Sequence, residues 1–269
     1  MKEDYGFPLC IQLAVPEDLY GDREFIRVLE LLREYSFHGV ELNLTDFDHT
    51  DPAELTDFLQ KFDLRLTMIA TGVFANKQKL SLSHPDEAIR QETVRQLDKI
   101  TAFAQKTHSG IICGFIKGGP TPDVTAAESQ MHKSLKDITT RMPGRCDIYL
   151  EATNHYESSL INQVSQGAEL SSAHGNTFKV LPDTYHMNIE EICMYTEIAR
   201  YRNYYNNLHI SDNNRCFPGL GGIDFLPILK VLKSFDYPGT ISIEGKVRNT
   251  LEDDIKESCT YLKKLAKRL

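Results

Sequence analysis

The stretch Cys146-Asp147-Ile148-Tyr149-Leu150-Glu151 decides the fold class, because its apolar and polar side chains alternate one by one. Side chains of an extended chain point to opposite faces with a period of two. The apolar members therefore share one face, and the polar members, which end with Glu151, share the other. The same alternation occurs in Ile241-Ser242-Ile243-Glu244, in Leu208-His209-Ile210 and in Val40-Glu41-Leu42. It predicts short strands that pack one face against helices and turn a polar face elsewhere.

Short apolar or alternating runs recur along the whole chain and predict eight strands. They are Leu9–Val15, His38–Leu44, Leu64–Thr71, Gly110–Ile116, Cys146–Glu151, Phe178–Asp183, Asn206–Ser211 and Thr240–Glu244. The stretches between them have helical spacing, as in Phe25, Val28, Leu29 and Leu32. Eight strands alternating with eight helices, at about 34 residues per unit, are typical of an α/β protein with a (β/α)8 TIM barrel fold. We expect a single barrel domain over residues 1–269.

A doubly wound open sheet is the alternative fold. It normally has fewer units and carries a phosphate-binding turn after its first strand. No Gly-x-Gly-x-x-Gly follows the first predicted strand, which favours the closed barrel.

Composition narrows the class of protein. The 269 residues include 38 acidic and 30 basic side chains, for a formal charge of −8, which disfavours nucleic acid as a partner. No uncharged apolar run approaches the roughly 18–20 residues that span a bilayer, and the N-terminal residues do not resemble a signal peptide. Six scattered cysteines without a CxxC motif are typical of reduced thiols. We therefore expect a cytoplasmic protein without a membrane or nucleic-acid partner.

Ionisable residues occur at the ends of four consecutive predicted strands: Glu151, Asp183, His209 and Glu244. In a barrel these positions face the lumen at the carboxyl-terminal rim, where barrel enzymes place their chemistry. Three carboxylates and an imidazole at one mouth would repel each other and resist burial unless a cation joined them. The set predicts a site for one divalent metal ion, Mn²⁺ first, with Mg²⁺ or Co²⁺ as alternatives.

Glu151 and Glu244 are three strands apart on the ring, so they can approach a bound molecule from opposite sides. Two carboxylates on opposite faces of a substrate carbon suit removal of a proton on one face and delivery on the other. A metal ion would polarise the neighbouring carbonyl. The arrangement predicts isomerisation or epimerisation next to a ketone, with Glu151 and Glu244 as the catalytic acid and base.

Four stretches carry a resemblance to a known family. They are Leu150–Glu157 with Asn162, Asp183–Glu191, Leu208–Arg215 with Pro218-Gly219 and Gly222–Phe225, and Tyr237–Glu244. In order and spacing they resemble the D-tagatose/D-psicose (allulose) 3-epimerases of the xylose-isomerase-like barrel superfamily. The similarity is specific over residues 147–245 and topological before them.

The resemblance implies a metal-dependent enzyme that inverts carbon three of a free ketose through a cis-enediolate. It implies that Glu151, Asp183, His209 and Glu244 bind the metal and that Glu151 and Glu244 also act as the acid/base pair. It also implies that three further residues bind substrate oxygens, namely Glu157, His186 and Arg215. A sugar substrate and a homo-oligomer, dimer or tetramer, are implied as partners.

The chain departs from the family pattern around the substrate. The loop Lys117–Pro122 is short and lacks the aromatic residues common there, the chain has no Trp, and His155 stands where Arg is frequent. These differences leave the choice of sugar open. Other enzymes on this scaffold are alternatives: an inosose dehydratase or isomerase, a hydroxypyruvate-type isomerase and, more remotely, an abasic-site endonuclease. A sugar-binding protein without catalysis is the alternative from another class.

Three further features have two interpretations each. Glu41 faces inward by alternation and is either a substrate contact or an ion-pair partner at the bottom of the barrel. Asp212 either orients His209 or Arg215, or forms a turn. The segment Gly219–Gly222 either binds a phosphate or makes a tight turn before the next helix.

Overall fold

The computed structural model of the protein describes residues 5–142, 144, 146–175 and 177–269. Eight strands are present in this part of the chain: β1 Leu9–Ala14, β2 Gly39–Asn43, β3 Arg65–Ala70, β4 Gly110–Cys113, β5 Ile148–Glu151, β6 Phe178–Leu181, β7 Asn207–Ile210 and β8 Thr240–Ile243. They form one parallel sheet in the order β6-β5-β4-β3-β2-β1-β8-β7.

The ring closes between β6 and β7 just beyond the end of β6. A parallel bridge joins Asp183 to His209, and the amide of His209 donates to the carbonyl of Pro182 at 2.9 Å. Two of the four predicted metal ligands therefore lie at the seam of the barrel. The (β/α)8 fold is confirmed.

The described residues form ten α-helices, two more than the spacing predicts: α1 Arg23–Glu34, α2 Pro52–Gln60, α3 Gly72–Gln78, α4 Glu87–Thr107, α5 Val124–Arg141, α6 Val164–His174, α7 Thr184–Glu190, α8 Met194–Arg200, α9 Phe225–Ser234 and α10 Leu251–Ala266. The predicted count of eight helices was wrong, because the spacing did not indicate α3 and did not divide one segment into α7 and α8. Each of these three helices has only seven residues. Two turns are too short for a helical period to stand out. None of the helices in the described ranges has the length and apolar character needed to cross a membrane.

Most strands are a residue or two shorter than the predicted runs, and their ends have local causes. β4 ends at Cys113 because Gly114 turns the chain into a short 3-10 helix, Phe115–Lys117. β6 ends at Leu181 because Pro182 has no amide proton to continue the ladder. Asp183 then caps α7, its carboxylate accepting from the amide of Tyr185 at 2.7 Å.

Two apolar cores lie on the two faces of the sheet. The large one packs between sheet and helices and includes Ile148 and Leu150. The small one consists of five residues: Met68, Ala70, Ile112, Tyr149 and Leu181. Tyr149 and Glu151 share a strand face, so this second cluster fills the lumen directly beneath the ionisable rim. The alternation predicted for strand five is thereby confirmed.

Candidate metal centre

The structure brings together the four residues that the strand ends predict. Glu151, Asp183, His209 and Glu244 each offer one ligand atom, and these atoms all lie within 4.8 Å of one another. Glu151 ends β5, Asp183 caps α7, His209 lies within β7 and Glu244 directly follows β8. The first three are buried, while the side chain of Glu244 is 20% exposed and faces the opening.

His209 is held between two carboxylates. Its Nδ1 lies 2.7 Å from Oε2 of Glu244, and its Nε2 lies 2.8 Å from Oε2 of Glu41. The other oxygen of Glu41 accepts from the side-chain amide of Asn207 at 2.6 Å. The ion-pair interpretation of Glu41 is therefore correct in kind, but its partner is a candidate metal ligand rather than a residue at the barrel bottom. The substrate-contact interpretation is wrong, since Glu41 is fully buried behind His209.

An unpaired oxygen at the centre of the cluster tests whether a cation fits. Oδ2 of Asp183 is buried and accepts no hydrogen bond from the described residues. Its closest cationic neighbour is Nη1 of Arg215 at 3.7 Å, beyond hydrogen-bond distance. A buried carboxylate oxygen without a partner is costly. A divalent cation would satisfy it, and three carboxylates with one imidazole are a donor set that such cations accept.

Burial and neighbouring charges give the three carboxylates different pKa values. It raises the pKa of Glu151 to about 8, with the charge of Glu244 adding to the effect, and it raises the pKa of Asp183 to about 7. Burial also works to raise the pKa of Glu244, but His209 and Arg215 outweigh it and hold that pKa well below its usual range. Without a cation, Glu244 is therefore the ionised member of the pair and Glu151 the protonated one.

The three predicted substrate contacts border the same centre. Nη1 of Arg215 lies 2.8 Å from Nε2 of His186, and Nη2 of Arg215 lies 3.4 Å from Oε1 of Glu244. The guanidinium stacks over Tyr185, with Cζ 4.7 Å from the ring centroid. Glu157 is half-buried and accepts from the amide of Asn154 at 3.1 Å.

His186 is neutral, because burial, and then the charge of Arg215, lower its pKa to about 2. Its ring lies between two donors, the backbone amide of Asn154 at 3.1 Å from Nδ1 and Nη1 of Arg215 at 2.8 Å from Nε2. The guanidinium of Arg215 also borders Asp183 and Glu244, where an anionic oxygen could accept from its remaining N–H groups.

Lys117 is a buried cation that the sequence reasoning treated only as part of a loop. Its Nζ donates to the carbonyl of Glu151 and to the hydroxyl of Thr153, both at 2.6 Å. Burial lowers the pKa of Lys117 to about 8, against the opposing charge of Glu151. In the sequence Phe115-Ile116-Lys117-Gly118, the lysine follows two apolar residues and precedes a glycine. This neighbourhood could have indicated a buried lysine.

A cavity of about 260 Å³ opens above the four ligands. Its lining includes residues predicted for the site, which are Glu151, Glu157, His186, Arg215 and Glu244, and residues that sequence reasoning missed, which are Gln12, Asn43, Asn76, Val73 and Phe115. Phe115 supplies an aromatic ring next to a loop that lacks one. Alternation on β1 and β2 could have indicated Gln12 and Asn43, because polar residues there interrupt apolar strands.

Asp212 and the glycine segment form a turn. The carboxylate of Asp212 accepts from the amides of Gly219, Gly221 and Ile223 at 2.8–3.1 Å. Asn213 accepts from the amide of Gly222 at 2.8 Å. These amides are occupied within the protein, so the turn interpretation is confirmed for both features. The carboxylate of Asp212 binds backbone amides rather than the side chain of His209 or Arg215, and the glycine segment offers no free amides for a phosphate.

Known proteins resemble this chain over most of its length. A family model described as xylose isomerase-like TIM barrel matches residues 29–265. A probable ketose 3-epimerase from Synechocystis sp. is 26% identical over 242 residues, which cover 85% of this chain and 80% of the relative.

Solved structures share the fold. A 3-keto-D-glucoside 4-epimerase from E. coli overlays with a TM-score of 0.77 at 21% identity, over 97% of this chain and 99% of the other. A family 2 AP endonuclease from Brucella melitensis overlays with a TM-score of 0.76 at 17% identity, over 95% and 99%. At these identities the overlays show the fold, and the choice among activities depends on the site.

Proposed function

The chain belongs to the xylose isomerase-like TIM barrel family, and from that premise we propose that it is a divalent-metal-dependent epimerase that inverts carbon three of a free ketose through a cis-enediolate. The observation that carries the proposal is the cluster of Glu151, Asp183, His209 and Glu244 beneath a cavity of monosaccharide size. The relative from Synechocystis, a probable ketose 3-epimerase that matches most of the chain, supports the same reaction.

Glu151 and Glu244 carry the proton transfers in this proposal. Glu244, at the opening of the site, is the base that takes the proton from one face of the substrate carbon. Glu151, which lines the cavity from β5, is the residue that delivers a proton at the other face. The two exchange roles in the reverse direction, as a reversible epimerisation requires.

Arg215 and His186 stabilise the charge that proton removal creates. The guanidinium of Arg215 is placed to donate to a substrate oxygen, His186 lies against it at 2.8 Å, and Tyr185 fixes it by stacking. Glu157, with Asn154 beside it, is placed to accept a hydrogen bond from a sugar hydroxyl.

Glu151, Asp183, His209 and Glu244 would hold the metal, which we propose is Mn²⁺, with Mg²⁺ or Co²⁺ as substitutes. When bound, the cation would supply polarisation of the ketone. Hydrogen bonds from Asn207 to Glu41 and from His209 to Glu41 keep the imidazole aimed at the other ligands.

The shared fold with the AP endonuclease raises a nuclease as an alternative, but the cavity and the charge of this protein do not favour it. The cavity of about 260 Å³ is below the roughly 300–1,000 Å³ typical of sites for drug-sized ligands, and it is closed on the inside by the lumen cluster. A formal charge of −8 also opposes DNA binding. Isomerisation or dehydration of a related sugar could use the same cluster, and product analysis distinguishes these reactions from epimerisation.

The proposal is tested by solvent deuterium exchange. The Mn²⁺-loaded protein is incubated in D₂O with a panel of free ketoses, and deuterium at carbon three and the epimeric product are followed by NMR. Glu244→Gln and Glu151→Gln should each lose exchange by more than a hundredfold, while the exposed Glu128→Gln stays at the wild-type rate. Loss of water, or deuterium at carbon one with an aldose product, would assign a dehydratase or isomerase. Absence of exchange with every ketose would overturn the proposal.

A further inference from the structure

We infer that Gln12, Asn43 and Asn76, here called the amide wall, bind the hydroxyl-bearing tail of the sugar, the part remote from the reacting carbons, and that this tail is uncharged. The inference rests on the proposed epimerase function and names the class of substrate more narrowly. The three residues line the cavity from β1, β2 and α3, whereas the metal ligands, His186 and Glu157 come from β5 onwards.

Two members of the amide wall are held by each other. Nδ2 of Asn43 donates to Oε1 of Gln12 at 3.0 Å and lies 3.4 Å from the carbonyl of Leu13. Gln12 pairs in register with Glu41 and Asn43 with Ala14, so both side chains are on the lumen face that carries Glu41. Their orientation is therefore set before a ligand enters.

The remaining hydrogen-bonding groups of the amide wall are not used within the described protein. The Nε2 group of Gln12 and Oδ1 of Asn43 have no partner there, and the side chain of Asn76 has none at either end. Each side-chain amide offers donors and an acceptor. A sugar hydroxyl also donates and accepts, so a row of hydroxyls would complement the wall.

The charged residues that line the cavity favour a neutral sugar tail over a phosphorylated one. Among the described residues that line the cavity, Arg215 is the only Lys or Arg, and it lies on the metal side, beside His186 and Glu244. A terminal phosphate or carboxylate placed at the amide wall would lose its hydration without gaining a cationic partner.

An apolar surface lies beside the amide wall. Val73 and Phe115 are 42% and 45% exposed, and the ring of Phe115 packs against Gly72, where an added Cβ would lie 3.2 Å from Cδ2. A sugar carbon chain has C–H groups between its hydroxyls, and an aromatic face can cover them. Amides on one side and a phenyl ring on the other thus match the two characters of a polyol tail.

Ketoses of increasing length test the inference. We would measure kcat/KM for deuterium exchange on a tetrulose, a pentulose, a hexulose and a hexulose 6-phosphate, with wild type, Gln12→Met, Asn43→Leu and Asn76→Leu. Asn76 is exposed, so its substitution does not threaten the fold. Gln78→Leu is the matched control, because Gln78 is an exposed amide on the same helix that does not line the cavity.

Each amide variant should lower kcat/KM roughly threefold to tenfold on the pentulose or hexulose, mainly through KM, as expected for one lost hydrogen bond. The tetrulose should change less than twofold, the control should match wild type, and the 6-phosphate should be the poorer hexulose. Equal losses at every chain length, no loss, or preference for the phosphate would overturn the inference while leaving the epimerase proposal intact. A wild type that exchanges no ketose would overturn both.

Discussion

Nε2 of His209 lies 2.8 Å from Oε2 of Glu41, deep in the barrel and on the side of the imidazole opposite to Glu244. An ionised carboxylate only accepts hydrogen bonds, so it fixes a proton on Nε2 and leaves Nδ1 to face the carboxylate cluster. Asn207 binds the second oxygen of Glu41, so the side chains of Glu41 and His209 are both restrained from rotating.

We expect Glu41→Gln to weaken Mn²⁺ binding by about 10- to 100-fold, the usual effect of losing a partner behind a metal-bound histidine. The substitution retains the volume of the side chain but not its charge. Isothermal titration calorimetry of the metal-free protein measures the change, with Glu128→Gln as control. Unchanged affinity, with a melting temperature like that of wild type, would show that Glu41 only fills space.

Metal affinity should rise with pH between about 6 and 8, because the ligands must lose protons to bind a cation. Burial raises the pKa of Glu151 to about 8 and that of Asp183 to about 7. Burial works to lower the pKa of His209, but Glu41 and Glu244 outweigh it and raise it well above its ordinary value. Calorimetry in buffers of different ionisation enthalpy should detect proton release, and its absence near neutral pH would contradict these charge states.

The same pKa values predict how stability of the metal-free protein depends on pH. Glu151 and Asp183 bind protons more tightly in the folded than in the unfolded state, since their pKa values are raised. The protonated side chains therefore stabilise the folded state fully below their unfolded-state pKa near 4. This stabilisation is lost as the pH rises through their folded-state pKa values of about 7 and 8. Chemical unfolding of wild type and Glu151→Gln should converge at low pH and diverge as pH rises, with Glu151→Gln the more stable; parallel curves would argue against it.

Gly114→Ala should impair the metal centre. A Cβ at residue 114 would collide with Oε2 of Glu151, so that carboxylate would have to leave its position. We expect at least roughly tenfold weaker Mn²⁺ binding together with loss of exchange activity. Gly222→Ala is the control, because the closest atom to its added Cβ is 3.6 Å away. Wild-type affinity in Gly114→Ala would mean that Glu151 is not a ligand or moves without cost.

Arg215→Lys should lower kcat/KM for exchange by at least roughly tenfold while changing Mn²⁺ affinity less than threefold. Lysine preserves the charge but cannot stack on Tyr185 and reach His186 and Glu244 with separate nitrogens. Kinetics and calorimetry on the same preparation separate the two effects, and Arg202→Lys controls for an exposed arginine. Parallel loss of metal binding would instead make Arg215 a support of the ligands.

The alternation of side chains determined much of this protein from sequence alone. A strand whose polar face ends in Glu151 has one side for helices and one for the lumen, and eight such segments close into a barrel. The ends of parallel strands meet at one rim, so Glu151, Asp183, His209 and Glu244 could be predicted to converge. Those ligands depend on local pattern and chain order, both of which can be read without coordinates.

The tertiary structure decided what lies around the ligands. Glu41 and His209 are 168 positions apart, and Lys117 reaches the carbonyl of Glu151 from 34 positions away. Alternation indicated that Glu41 points inward but could not indicate its partner, and no periodicity marks Lys117 or Asn76. Partners across a barrel are set by strand register, tilt and closure, which depend on how all eight strands pack together. The residues that surround the ligands and face the substrate could therefore be identified only from the closed barrel.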